Sequence, residues 1–178
     1  MRILLIDNGS SLLPKLQQLI PGHEITVKSS EVRASEARDF DLVVLSGGPH
    51  DMNESGFEEE SRIIKSGKPV IGICFGCELI AQTFGGTVSE LADEQKGIYE
   101  IEILSDKLGG PKKIKVYEGH RQFIPKMPDN FEVLAKSNKG PEIIKHTTLP
   151  IYGLQFHPEN MIEETDGDEL FLNLLNQF

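Results

Sequence analysis

The sequence holds two cysteines, Cys74 and Cys77, both in "PVIGICFGCELI" (69–80). Their C-x-x-C spacing admits a redox pair, half of a metal site, or one nucleophile with a bystander. A redox pair of this kind normally follows the first βα crossover near the amino end, whereas this one follows the fourth candidate strand. Zinc needs two further ligands, and His23, His50, His120, His146 and His157 offer no paired spacing. The nucleophile reading needs only local geometry. A strand ending at Cys74, then Phe75, Gly76 and a helix, is a sharp turn that lifts a side chain above the sheet. Gly72 and Gly76 permit close approach, and the N–H groups opening the helix would lower the thiol pKa. Cys77 shares the i, i+3, i+4, i+7 stripe with Ile80, Ala81 and Phe84, which predicts a buried, inert thiol.

A cysteine nucleophile needs a base, and a carboxylate makes that base better. "GLQFHPEN" (153–160) supplies both, because in extended chain His157 and Glu159 project to one side and Pro158 favours extension at His157. A third part is "LSGGPHD" (45–51), where Gly47 and Gly48 free backbone N–H groups to face a developing oxyanion. Singly, each has an ordinary explanation, a solvated surface pair for the first and a glycine turn for the second. Their joint presence at strand ends favours chemistry.

The elements that must position these residues follow from the apolar pattern. "RILLID" (2–7), "EITVKS" (24–29), "DLVVLS" (41–46) and "PVIGIC" (69–74) read as strands, with helices over 12–20 and 57–65 between them. This alternation predicts a mostly parallel central sheet with helices on both faces, and a ligand site at the carboxyl ends of the strands, where Asp7, Ser46 and Cys74 fall. The segments 98–104, 112–120, 131–137, 142–147 and 150–156 predict a partly antiparallel extension. A closing helix presents Leu170, Phe171, Leu174, Leu175 and Phe178 on one face, after the acidic run Glu163, Glu164, Asp166, Asp168 and Glu169.

At 178 residues and 38% hydrophobic content, one domain over 1–178 is expected, with a core large enough to need no disulfide or metal. A formal charge of -10, from 28 acidic and 18 basic residues, opposes binding to nucleic acid or anionic membranes. No stretch approaches the roughly 20 apolar residues of a membrane span, and the amino end has too short an apolar run for a signal peptide. A soluble, cytoplasmic protein is expected.

"LSGGPHD", "GICFGCELIAQTFGGTV" and "YGLQFHPE", in this order and spacing, resemble the class I (triad-type) glutamine amidotransferases, which have a flavodoxin-like α/β fold. The resemblance spans nearly the whole chain. It implies that Cys74 attacks the side-chain amide of glutamine, that His157 is general base and acid, and that Glu159 orients it. The backbone N–H groups of Gly48 and Phe75 would form the oxyanion hole. "IDNGSS" (6–11), "IAQTFGGTV" (80–88) and "LPIYGLQFHPE" (149–159) look most like the free-standing glutaminase subunits of archaeal-type GMP synthases. That likeness implies ammonia delivery to an ATP-pyrophosphatase-type synthetase subunit for GMP synthesis from XMP, with no cofactor or metal in this chain and ATP and Mg used only by the partner.

Two positions depart from the family pattern. Glu78 stands where a glutamine four residues after the nucleophile usually helps hold the substrate, and its charge should oppose thiolate formation. In "VYEGHRQF" (116–123), His120 matches a Ser-His-x-Asp pattern while Gly119 and Gln122 replace its serine and aspartate. By position Gly48, His50, Glu78, Gly119, Arg121 and Gln122 would surround glutamine. Other readings are a cysteine hydrolase acting on another γ-glutamyl or amide substrate, a non-catalytic regulatory module of the same fold, and a thiol redox role for Cys74 with Cys77.

Overall fold

The computed structural model describes residues 1–51 and 55–178. Five short parallel strands build the half that carries the site: β1 (Arg2–Asp7), β2 (Glu24–Ser29), β3 (Leu42–Leu45), β4 (Val70–Ile73) and, far along the chain, β9 (Ile151–Leu154). They lie in the order β2-β1-β3-β4-β9. Apart from β2, at the open edge, their interiors are unbroken apolar runs because both faces are covered. One face packs Ile3, Leu5, Val44, Ile71, Ile73 and Leu154 under α1 (Leu13–Leu19) and α4 (Gly167–Leu175). The other packs Leu4, Ile6, Val43, Leu45 and Val70 under α2 (Glu58–Ile64) and α3 (Phe75–Thr83). Neighbouring residues of one strand thus serve opposite cores, as the period of two requires.

The remaining strands, β5 (Thr87–Ile103), β6 (Lys113–Lys126), β7 (Phe131–Lys136) and β8 (Pro141–His146), continue the same sheet as an antiparallel extension in the order β9-β8-β7-β5-β6. The closing helix forms as expected. Phe171, Leu174 and Leu175 are buried, Asp168 and Glu169 occupy the first turn, and Asp166 exchanges backbone and side-chain hydrogen bonds with Lys115 of β6.

One expectation is corrected, and one stretch of strand carried no signal in the sequence. The run 150–156 does not belong to the antiparallel extension alone. Its strand β9 pairs parallel to β4 and antiparallel to β8, so it is the seam between the halves. A short apolar run buried on both sides reads the same in either orientation, which is why its pattern did not reveal this. The stretch without a signal is 87–97. Its polar sequence lies at a half-exposed sheet edge, and the pairing with β6 slips between Glu90 and Gln95, so no alternation marks it. This long β5–β6 hairpin supplies one wall of the site. Among the described residues no helix is long and apolar enough to cross a membrane.

Candidate active site

Cys74 follows β4 directly and opens α3 with φ 51° and ψ -107°. It is the one non-glycine residue with positive φ among the described residues. Such a backbone costs roughly 1–3 kcal/mol and persists only where its surroundings hold it. They do so here: the Cys74 N–H donates to the Leu154 carbonyl at 2.7 Å, and its own carbonyl accepts from the N–H groups of Cys77 and Glu78. The flanking glycines are obligatory. A Cβ on Gly72 would lie 2.4 Å from the Gly76 carbonyl oxygen, and one on Gly76 would lie 2.7 Å from that of Leu45.

His157 comes from the segment just after β9, pinned by its N–H to the Tyr117 carbonyl at 2.8 Å. Its Nδ1 lies 2.9 Å from Glu159 Oε1, and Glu159 is wholly buried. That contact leaves Nε2 as the free ring nitrogen on the side of the Cys74 thiol, and the Cys74 and His157 side chains both pack against Gly47. Burial alone would lower the His157 pKa, but the thiolate and Glu159 reverse this and carry it well above its usual value. The expectation of a thiol made acidic by the helix start is corrected. Burial pushes Cys74 up, His157 opposes this, and the charges of Glu78 and Glu159 add to the rise. A buried thiolate needs a neighbouring cation, and the His157 imidazole is placed to become one by taking the thiol proton.

The glycine loop packs directly on this pair. A Cβ on Gly47 would fall 3.0 Å from His157 Cε1 and 3.5 Å from Cys74 Cβ, while one on Gly48 would fall 2.1 Å from the Asn8 carbonyl oxygen. Asn8 ties the loop down: its N–H donates to Ser46 Oγ at 2.9 Å and its side-chain amide to the Ser46 carbonyl at 3.2 Å. Asp7 and Ser46, expected at the strand ends beside Cys74, therefore shape loops. Asp7 accepts from the N–H groups of Gly9 and Ser10, and the Ser46 hydroxyl donates to the Gly47 carbonyl. Phe75 is the first residue of α3, where the N–H has no partner within the helix. Gly48 and Phe75 are the candidate oxyanion donors.

A cavity of about 390 Å³ opens over Cys74, lined by Gly48, His50, Glu78, Gly119, Arg121 and Gln122. All six residues expected around the substrate are thus brought together. Sequence reasoning missed Asp51, Glu90 and Glu94 in the same wall. The two glutamates belong to the unexpected part of β5, and Asp51 is joined to Gln122, whose amide donates to Asp51 Oδ1 at 3.2 Å. Arg121 is mostly exposed and pairs with Glu94 at 3.4 Å. Glu78 is buried and accepts from the Gln155 amide at 2.8 Å. Burial raises its pKa, opposed by Gln155, His120 and His157. A second opening, about 420 Å³, reaches Cys74 past His157, Tyr117, Lys96 and Asn160. Cys77 faces the core as a free thiol, and a Cβ on Gly153 would lie 2.6 Å from its Sγ. Among the described residues no cluster of His, Cys, Asp and Glu is arranged to hold a metal.

Residues 4–177 match the family model "Glutamine amidotransferase class-I". The glutamine-hydrolyzing GMP synthase subunit of Pyrococcus abyssi is 32% identical over 96% of this chain and 95% of its own length. The corresponding subunit of Methanospirillum hungatei is 36% identical over 89% and 81%. Among solved structures, a candidate GMP synthase subunit from Thermoplasma acidophilum superposes with a TM-score of 0.90 at 28% identity, covering 99% of this chain and 92% of that one.

Proposed function

The chain belongs to the class I glutamine amidotransferase family, and from that premise we propose that it is the glutamine-hydrolysing subunit of a two-chain GMP synthase. The observation that carries the reading is the alignment of Cys74, His157 and Glu159 beneath a cavity large enough for an amino acid. In this reading His157 takes the thiol proton as Cys74 attacks the side-chain carbonyl carbon of glutamine. The N–H groups of Gly48 and Phe75 receive the charge that develops on the oxygen. His157 then gives its proton to the departing nitrogen, ammonia leaves, and a γ-glutamyl thioester remains on Cys74. Water, deprotonated by His157, hydrolyses the thioester to glutamate. Glu159 stabilises the imidazolium each time it forms.

The ammonia would pass to a separate synthetase subunit of ATP-pyrophosphatase type, which would use ATP and Mg to aminate XMP. A cytoplasmic location fits these substrates. The test is ammonia release from glutamine, with and without such a synthetase, ATP and XMP. GMP formation in the complete mixture, lost with Cys74→Ala, is the expected result; a Cys74→Ala chain that still releases ammonia would end the proposal.

A further inference from the structure

The same cavity is lined by His120, which heads a second histidine–carboxylate assembly that the reaction above does not use. His120 is buried, and each ring nitrogen has an oxygen within 3 Å, by a hydrogen bond at Nδ1 and at ion-pair distance alone at Nε2. Its Nδ1 lies 2.6 Å from the Gln122 carbonyl oxygen, which can only accept, so Nδ1 carries a proton. Its Nε2 lies 2.9 Å from Glu118 Oε2, with the two side chains 2% and 1% exposed. Behind them Glu142 of β8 lies against Glu118. Two adjoining buried carboxyls cannot both ionise, and burial with the charge of Glu118 pushes Glu142 well up. Of the two, Glu118 is the one at ion-pair distance from His120.

The groups around this imidazole come from four elements. Glu118 lies on β6, Glu142 on β8 and Glu78 on α3, and the residue paired with His120 across β5 is the uncharged Gln95. Burial opposes a charge on His120, and Glu118, the Gln122 carbonyl and Glu78 overcome it, leaving its pKa raised. The influence is mutual, since His120 and His157 both favour ionised Glu78 against its burial. An ionised carboxylate offers only acceptors, the complement of an ammonium group.

We propose that Glu118 and Glu142 hold His120 as a buried imidazolium whose charge keeps Glu78 ionised, so that Glu78 selects an amide donor carrying an α-ammonium group. His120 and Glu118 are positioning residues in this scheme, and Glu78 is the group that meets the substrate. The inference rests on the glutamine-hydrolysing reading for its substrate, while the charge state of His120 is independent of it.

Four chains decide the matter: wild type, Glu118→Gln, Glu78→Gln, and the double variant Glu118→Gln with Glu78→Gln, which is compared with Glu78→Gln alone. In wild type the His120 ring ¹⁵N shifts should be those of an imidazolium at pH 7.5. In Glu118→Gln the ring should be neutral at that pH, and KM for glutamine should rise about tenfold, the equivalent of one pKa unit, with kcat within about threefold. In the Glu78→Gln background the same change should move KM less than about twofold, because the charge to be protected is gone. A neutral His120 ring in wild type overturns the proposal even where a variant fails to fold. So does a folded Glu118→Gln chain with unchanged KM, or a KM rise that is equal in both backgrounds. If wild type neither releases ammonia nor is labelled at Cys74 by a glutamine-analogue electrophile, the functional reading fails instead, and the ring shifts still decide the charge of His120.

Discussion

Glu159 Oε1 stands 2.9 Å from His157 Nδ1, at the bottom of a site where the carboxylate has no solvent exposure. A buried carboxylate without a cation is costly, so this contact is worth most when the imidazole is protonated. Glu159→Gln keeps the shape and removes the charge. The new amide would donate to Nδ1, leaving a proton on Nε2 and no base facing the thiol. Glutamine hydrolysis should fall by about 10²–10⁴-fold, the range of a positioned proton transfer. Single-turnover ammonia release checks it, and a loss below about tenfold would show that His157 does not depend on this partner.

Gly48 makes a second, purely steric prediction. A Cβ there meets the Asn8 carbonyl oxygen at 2.1 Å, and Asn8 is itself tied to Ser46 by two hydrogen bonds, so the loop must move. Gly48→Ala should lower kcat by about 10²-fold or more through loss of an oxyanion donor, with KM less affected. Labelling of Cys74 by a simple alkylating agent, which forms no oxyanion, should continue at near the wild-type rate. Equal losses in both assays would mean that the loop holds the thiol itself.

The sequence made the local parts of this site legible and left the long-range parts hidden. Cys74, His157 and Glu159 sit in short segments whose turn glycines and two-residue spacing carry their own geometry. Four strands of the parallel half, β2 excepted, were readable because double burial leaves an unbroken apolar run. The hydrogen bonds Gln155 to Glu78 and Gln122 to Asp51 span 77 and 71 residues and depend on strand register. The placement of Glu142 beside Glu118 depends on it too. Polar 87–97 gave no strand signal at an exposed edge, which hid Glu90 and Glu94 from the pocket. Nor could helix position alone give the direction of the Cys74 shift, since burial is the largest influence on it.

Cys77 and Gly153 form a packing pair that tests the bystander role of the second thiol. Gly153 of β9 has no room for a Cβ, which would lie 2.6 Å from Cys77 Sγ and 2.8 Å from Ile144 Cγ1. Cys77→Ala should leave glutamine hydrolysis within about twofold and cost roughly 1 kcal/mol of stability, as for a small buried group removed. Gly153→Ala should cost about 1–3 kcal/mol by overpacking. In the double variant the two should not add, because removing the sulfur relieves part of the clash. Urea unfolding of the four chains measures this. Strict additivity would mean that Ile144, not Cys77, sets the limit.

Glu60 gives the fold a predictable pH dependence. It shares with Ile63 and Ile64 the buried face of α2, has no solvent exposure, and neither carboxyl oxygen has a hydrogen-bond partner among the described residues. Burial, opposed by the Asn8 side chain, raises its pKa from 4.5 to about 7. Between these values the folded chain keeps the proton and the unfolded chain has lost it, so stability falls as pH rises through that window. Over the whole interval the loss is about 3 kcal/mol at 1.36 kcal/mol per pH unit, with nothing further below 4.5 or above 7. Glu60→Gln removes the titration and keeps the volume. Relative to wild type, the variant should therefore gain about 3 kcal/mol on going from pH 4.5 to pH 8, read as a divergence of the two urea midpoints. Midpoints that stay parallel across that range would place the Glu60 proton elsewhere.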